Sequence, residues 1–72
     1  MRTWERKGYR VIEVEFDHDL HEFEVVADNG KIVATITPAS FDDQTEIIKA
    51  LDAGDDVDGW EDGMGNTITI TI

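Results

Sequence analysis

Among its 72 residues the chain has no cysteine, a single proline (Pro38), one tyrosine and only six basic side chains. Without cysteine there is no disulfide staple, no thiolate-metal site and no thiol nucleophile. That composition suits a reducing compartment, and the expected location is cytoplasmic. No apolar run approaches the length of a membrane span. The charged start Met1-Arg2-Thr3-Trp4-Glu5-Arg6-Lys7 is not followed by the apolar stretch of a signal peptide. With so few bases the chain lacks the positive field that phosphate contacts need. Direct nucleic-acid binding and attachment to anionic membranes are both disfavoured.

What is abundant is negative charge. Seventeen acids against six bases give a formal net charge of −11. Arg2, Arg6, Lys7 and Arg10 fall in the first ten residues beside one acid, Glu5, so that segment carries +3 and residues 11 to 72 carry −14. Such a field keeps a small protein soluble, and it also steers salt-sensitive association with a basic partner surface. The length fits one domain, residues 1–72, close to the lower limit for a self-sufficient core, so marginal stability or support from a dimer is expected.

The strongest local signal is Glu22 to Thr37, where two β-rich runs flank Asn29-Gly30. A two-residue type I′ turn there sets Asp28 opposite Lys31, Ala27 opposite Ile32, Val25 opposite Ala34 and Phe23 opposite Ile36. One face is then apolar throughout, and Val26 opposite Val33 is the apolar exception on the other. Upstream, Arg10 to Asp17 alternates from Ile12 onward. The pattern predicts Ile12, Val14 and Phe16 inward, with Val11, Glu13, Glu15 and Asp17 outward. Residues 1–9 either fray or fold Trp4 back onto the sheet, a short extra strand with Gly8 as a bulge being a further reading.

Pro38 ends the hairpin, and Ser40-Phe41-Asp42-Asp43 reads as a helix start with Ser40 as N-cap and Asp43 at the capping-box position. Ile47, Ile48 and Leu51 form its apolar stripe, and Gly54 is the expected residue just past its end. Residues 55–65 are a loop rich in Gly and Asp, anchored by Val57 and Trp60. Asn66 to Ile72 alternates strictly, with Ile68, Ile70 and Ile72 inward. The expected fold is α+β, β-β-β-α-β. It is a four-stranded, mostly antiparallel sheet in the order 3-2-1-4, with the last strand parallel to the first and one helix packed on one face. An all-antiparallel sheet, with Trp60 in an additional short strand, is the alternative. The expected core is Ile12, Val14, Phe16, Phe23, Val25, Ala27, Ile32, Ala34, Ile36, Ile47, Ile48, Leu51, Ile68 and Ile70.

No residue set points to catalysis, so the chain is read as a non-enzyme without a cofactor. His18 and His21 stand among Asp17, Asp19 and Glu22, but the sequence nominates no third ligand for a zinc or nickel ion. Neither register of the acidic loop reproduces a calcium-binding pattern, since Gly65 or Trp60 falls where an oxygen ligand is needed. No phosphate-cradling loop is present, and Ser40 is committed to capping.

Two functions remain. The first is a protein–protein interaction module that meets another protein, or a second copy of itself, through an open sheet face or an edge strand. Its candidate contact residues are Asp55, Asp56, Asp58, Trp60, Glu61 and Asp62 of the loop, Glu13, Glu15 and Glu24 of the strands, and the exposed pair Val26 and Val33. The second is a nucleic-acid mimic that lays rows of carboxylates (Glu13, Glu15, Glu22, Glu24, Asp28) into the basic groove of a DNA- or RNA-binding protein. Acids at alternate strand positions lie ~6.6–6.8 Å apart. In layout alone, a meander followed by a helix and an acidic loop at very low pI, the chain resembles the small acidic inhibitors of phages and mobile elements, anti-CRISPR proteins among them.

Overall fold

Val11 and Val25 face one another across two antiparallel strands and are fully buried, and the rest of the sheet extends from that pair. The computed structural model describes residues 2–17 and 19–70. It contains β1 (Thr3–Arg6), β2 (Tyr9–Asp17), β3 (Leu20–Ala27), β4 (Ile32–Ile36) and then α1 (Phe41–Asp52). The strands form one antiparallel sheet in the order β1-β2-β3-β4. The α+β class matches the sequence reading, whereas the order 3-2-1-4 with a parallel C-terminal strand does not. The neighbour of β2 is the N-terminal segment, joined through Lys7-Gly8 with Gly8 at φ 86 in the turn rather than in a bulge. A tight hairpin closes that edge at far lower loop entropy than a segment more than fifty residues away.

Among the described residues the C-terminal run forms only an isolated bridge, Glu61 to Thr67. Its chain is held instead by the Ile68 N–H donating to the Trp60 carbonyl at 2.7 Å and the Gly59 N–H donating to the Ile68 carbonyl at 2.8 Å. Ile68 is buried and Ile70 packs against the core, so these two isoleucines point in as expected although no strand forms among the described residues. The expected inward Ile72 lies outside the described residues, as does His18.

The β3–β4 hairpin keeps the expected Phe23–Ile36 and Val25–Ala34 pairs. Its turn differs. The Ala27 carbonyl accepts from the Gly30 N–H and the Ala27 N–H donates to the Lys31 carbonyl, both at 2.8 Å, so the loop is Asp28-Asn29-Gly30 with Gly30 at φ 87. Such three-residue loops finish on a residue of positive φ, which Gly supplies without strain. Val26 therefore pairs with Ile32 rather than Val33, and a register shift next to it restores the expected alignment.

The face of β2 is the reverse of the alternation reading. Tyr9, Val11 and Glu13 are buried on the helix side, Ile12 and Val14 are half-buried on the other, and Phe16 is 54% exposed. Cross-strand pairing enforces this, because directly opposed residues share a face and Val11 opposes Val25 while Glu13 opposes Phe23.

Helix α1 begins as its sequence dictates. Ser40 Oγ accepts from the Asp43 N–H at 3.2 Å, and Asp43 Oδ2 accepts from the Ala39 N–H at 2.9 Å. It ends in a Schellman arrangement, with the Gly54 N–H on the Leu51 carbonyl, the Asp55 N–H on the Ala50 carbonyl, and Gly54 at φ 94. Leu51 is its one buried side chain; Ile47 and Ile48 are half-buried and Phe41 is exposed. The core is Trp4, Tyr9, Val11, Phe23, Val25, Ile36, Leu51, Val57 and Ile68. Of the expected core, Ile12, Val14, Phe16, Ala27 and Ile32 are absent from it, and Ala34, Ile47, Ile48 and Ile70 only pack against it; Ile12 and Val14 belong to the uncovered side of the sheet, Phe16 and Ile32 lie at its register shifts, and Ala27 is half-buried at the end of β3.

Candidate functional site: the acidic loop and the open sheet face

The first hairpin is fastened to the end of α1, and this fixes where the acidic loop begins. The Trp4 indole N–H donates to Asp52 Oδ1 at 2.8 Å. The Arg6 guanidinium donates to the carbonyls of Leu51 (2.6 Å), Asp55 (2.9 Å) and Glu5 (2.8 Å), placing positive charge on the negative end of the helix. The Tyr9 hydroxyl donates to Asp56 Oδ1 and accepts from the Val57 N–H at 3.0 Å. Burial raises the Tyr9 pKa above its ordinary value, and the bond to Asp56 adds to that.

From there residues 55–70 cross the helix side of the sheet, and three of the loop's aspartates fold it. Asp56 accepts from the Asp58 N–H at 3.3 Å, Asp58 from the Ile70 N–H at 2.9 Å, and Asp62 from the N–H groups of Met64 (2.7 Å) and Asn66 (3.2 Å). The bonds on Asp56 and Asp62 favour their charged forms. The Tyr9 hydroxyl, then the Asp58 N–H, lower the Asp56 pKa, and the Met64 N–H leads the lowering at Asp62. The loop also docks on the end of β4, where the Thr37 N–H donates to the Asp62 carbonyl at 2.9 Å. Asp55 and Glu61 are exposed. The six loop residues singled out by sequence thus share one segment, but Asp56, Asp58 and Asp62 are turn-forming groups as well as surface charges. Among the described residues no group of three or more His, Cys, Asp or Glu side chains could hold a metal ion.

The strand residues divide between two faces. Glu13, expected outside, is 3% exposed on the helix side. Its Oε2 lies 2.6 Å from His21 Nδ1, and its Oε1 accepts from the Arg2 backbone N–H at 3.3 Å and guanidinium at 3.4 Å. Burial pushes its pKa up, but the His21 and Arg2 bonds together outweigh it, and the net shift is downward. The His21 N–H donates to Gln44 Oε1 at 2.8 Å, joining this cluster to α1. Glu15 opposes His21 on the same face and is exposed. The five-acid row expected from Glu13 to Asp28 therefore does not form.

The face opposite the helix is uncovered. Along β2 it carries Ile12 and Val14, with Glu24 opposite Ile12 and Glu22 opposite Val14; Phe16, at the register shift that follows, has no cross-strand partner among the described residues and is exposed. The next row belongs to β4, with Thr35 opposite Glu24 and the Thr37 hydroxyl donating to Glu22 Oε2 at 2.8 Å. At one end Val26 pairs with Ile32, which is 50% exposed. Apolar, acidic and threonine rows thus lie side by side at the ~4.8 Å spacing of neighbouring strands. Val26 is itself buried, against expectation, whereas Val33 is exposed as expected and also lines a small cavity with Tyr9, Ala27 and Ile70; the apolar residues that β2 adds to the uncovered face are Ile12 and Val14. The sequence signal for this set was the even-position alternation itself, assigned to the wrong side.

No family model, curated protein or solved structure matches this chain. Among the described residues no helix is long and apolar enough to cross a membrane.

Proposed function

We propose that this chain is a non-enzymatic protein-interaction module that meets a basic protein surface through the open face of its sheet. The observation that carries this is the pairing, on one uncovered face, of apolar residues (Ile12, Val14) with an acidic row (Glu22, Glu24), next to the exposed Phe16 that follows them along β2. Apolar contact supplies the central area of an interface while surrounding charge sets orientation and encounter rate. The net charge of −11 makes a basic partner the complementary one. Two groups that chemistry would call on are already committed, Ser40 to the helix cap and Glu13 to His21 and Arg2. The basic groove of a nucleic-acid-binding protein is one surface of this kind.

The test is affinity capture from the source cell at two salt concentrations, comparing a Phe16→Ser/Glu24→Lys variant with an Asp42→Lys/Glu46→Lys variant. Capture lost by the first and kept by the second is expected; the reverse pattern sinks the sheet-face reading. Competition by duplex DNA would identify mimicry as the mode.

A further inference from the structure

On the helix side of the sheet, away from the open face, a half-open concavity of about 360 Å³ lies between the end of β4, α1 and the acidic loop. Ile36 and Ile47 contribute its apolar lining, Trp60 its aromatic one, and Asp43 and Glu61 two acids, with no base among the lining residues. Asp43 uses Oδ2 on the Ala39 N–H, and among the described residues neither its Oδ1 nor the Glu61 carboxylate has a hydrogen-bond partner. The site is held open by backbone: Gly63, at φ 86, lies so close to the Thr37 carbonyl that a Cβ would sit 2.2 Å from its oxygen. The loop therefore reaches this position only with glycine there.

We propose that this concavity receives a lysine or arginine side chain from a basic protein partner. An indole face attracts a cation, arginine most often, and isoleucine side chains accommodate the methylenes that carry it. Two carboxylates at the same site supply the counter-charge. A purely apolar occupant would strip water from those carboxylates without compensation, and an anion would be repelled. The site goes beyond the sheet-face reading and stands with or without it.

The experiment is an amide NMR titration of the ¹⁵N-labelled chain with N-acetyl-L-arginine methylamide, run beside its neutral isostere N-acetyl-L-citrulline methylamide. Saturable shifts are expected at the Trp60 indole N–H and the amides of Thr37 and Gly63, with a dissociation constant on the order of millimolar. Glu61→Gln should weaken binding about three- to fivefold, and the citrulline compound should bind weaker by at least as much. Trp60→Leu, checked for folding by its urea midpoint, should weaken it as well, while Phe16→Ser leaves it unchanged. Shifts scattered over the acidic surface without saturation, equal binding of the neutral isostere, or unchanged affinity in Glu61→Gln would each overturn the proposal.

Discussion

The Trp4 indole N–H and the Asp52 carboxylate, 48 residues apart in sequence, meet at 2.8 Å. With the Arg6 guanidinium on the Leu51 and Asp55 carbonyls, this contact makes the N-terminal strand the clasp that holds the end of α1. Trp4→Phe keeps an aromatic ring beside Phe23, whose centroid lies 6.0 Å away, and deletes only the donor. A hydrogen bond to a charged acceptor that is partly exposed contributes about 1–2 kcal/mol. Urea unfolding should show that loss as a lower midpoint at unchanged slope; an unchanged midpoint would show that the bond is not held in solution.

Two glycines with the same backbone angle separate strain from collision. Gly30 has φ 87 with nothing within 4 Å of a built Cβ, whereas Gly63 has φ 86 with the Thr37 carbonyl oxygen at 2.2 Å. Gly30→Ala should cost about 1–2 kcal/mol, the ordinary penalty of a left-handed conformation for a residue with a Cβ. Gly63→Ala carries that penalty and must also push the loop off Thr37, so its cost should be clearly larger. Equal costs for the two, measured as unfolding free energies, would mean that the Thr37–Asp62 contact is not maintained.

The Glu13 cluster gives stability a pH dependence on the acid side. Burial disfavours its charge, but His21 and Arg2 reverse that, and the folded pKa lies below the ordinary 4.5. A group lowered on folding contributes its stabilisation fully above the unfolded pKa and loses it as pH falls through the folded one. Glu13→Gln should therefore be less stable than the parent at pH 7, and the gap should narrow below pH 4.5. A gap that stays constant between pH 7 and pH 3 would show that the carboxylate is not the source.

Much of the middle of the chain was legible from local rules. Ser40 and Gly54 bracket the helix because caps are read within a few residues, and Phe23 meets Ile36 because a short loop leaves little freedom in register. The turn type was not legible, since Asn29-Gly30 fits a two-residue loop as well as the three-residue loop the chain adopts. Nor was the face of β2. Ile12, Val14 and Phe16 alternate more cleanly than Tyr9 and Val11, and the buried Glu13 reads as solvent-facing until Arg2 and His21 are known to surround it. The role of the N-terminal strand rests on Trp4 and Arg6 reaching 48 and 45 residues along the chain, a distance no local pattern reports. The acidic loop misled in the same way, because aspartates that cap their own turns look in sequence like carboxylates offered to a partner.

Tyr9 ties that loop to the sheet, and it should make the molecule sensitive to alkali. Burial, followed by the bond to Asp56, raises its pKa above 10.0, so the folded state requires the neutral phenol. A group raised on folding contributes fully below its unfolded pKa and loses that contribution as pH rises through the folded value. The wild-type urea midpoint should accordingly fall above pH 10, as the phenolate abandons both Asp56 and the space beside Val57. Tyr9→Phe removes the hydroxyl that bonds Asp56 and the Val57 N–H, costing about 1–2 kcal/mol at neutral pH. The comparison between the two proteins is the informative quantity, because contributions common to both cancel in it. The difference in stability should shrink between pH 9 and pH 11, and a difference that stays level would show that ionisation of Tyr9 does not release the loop.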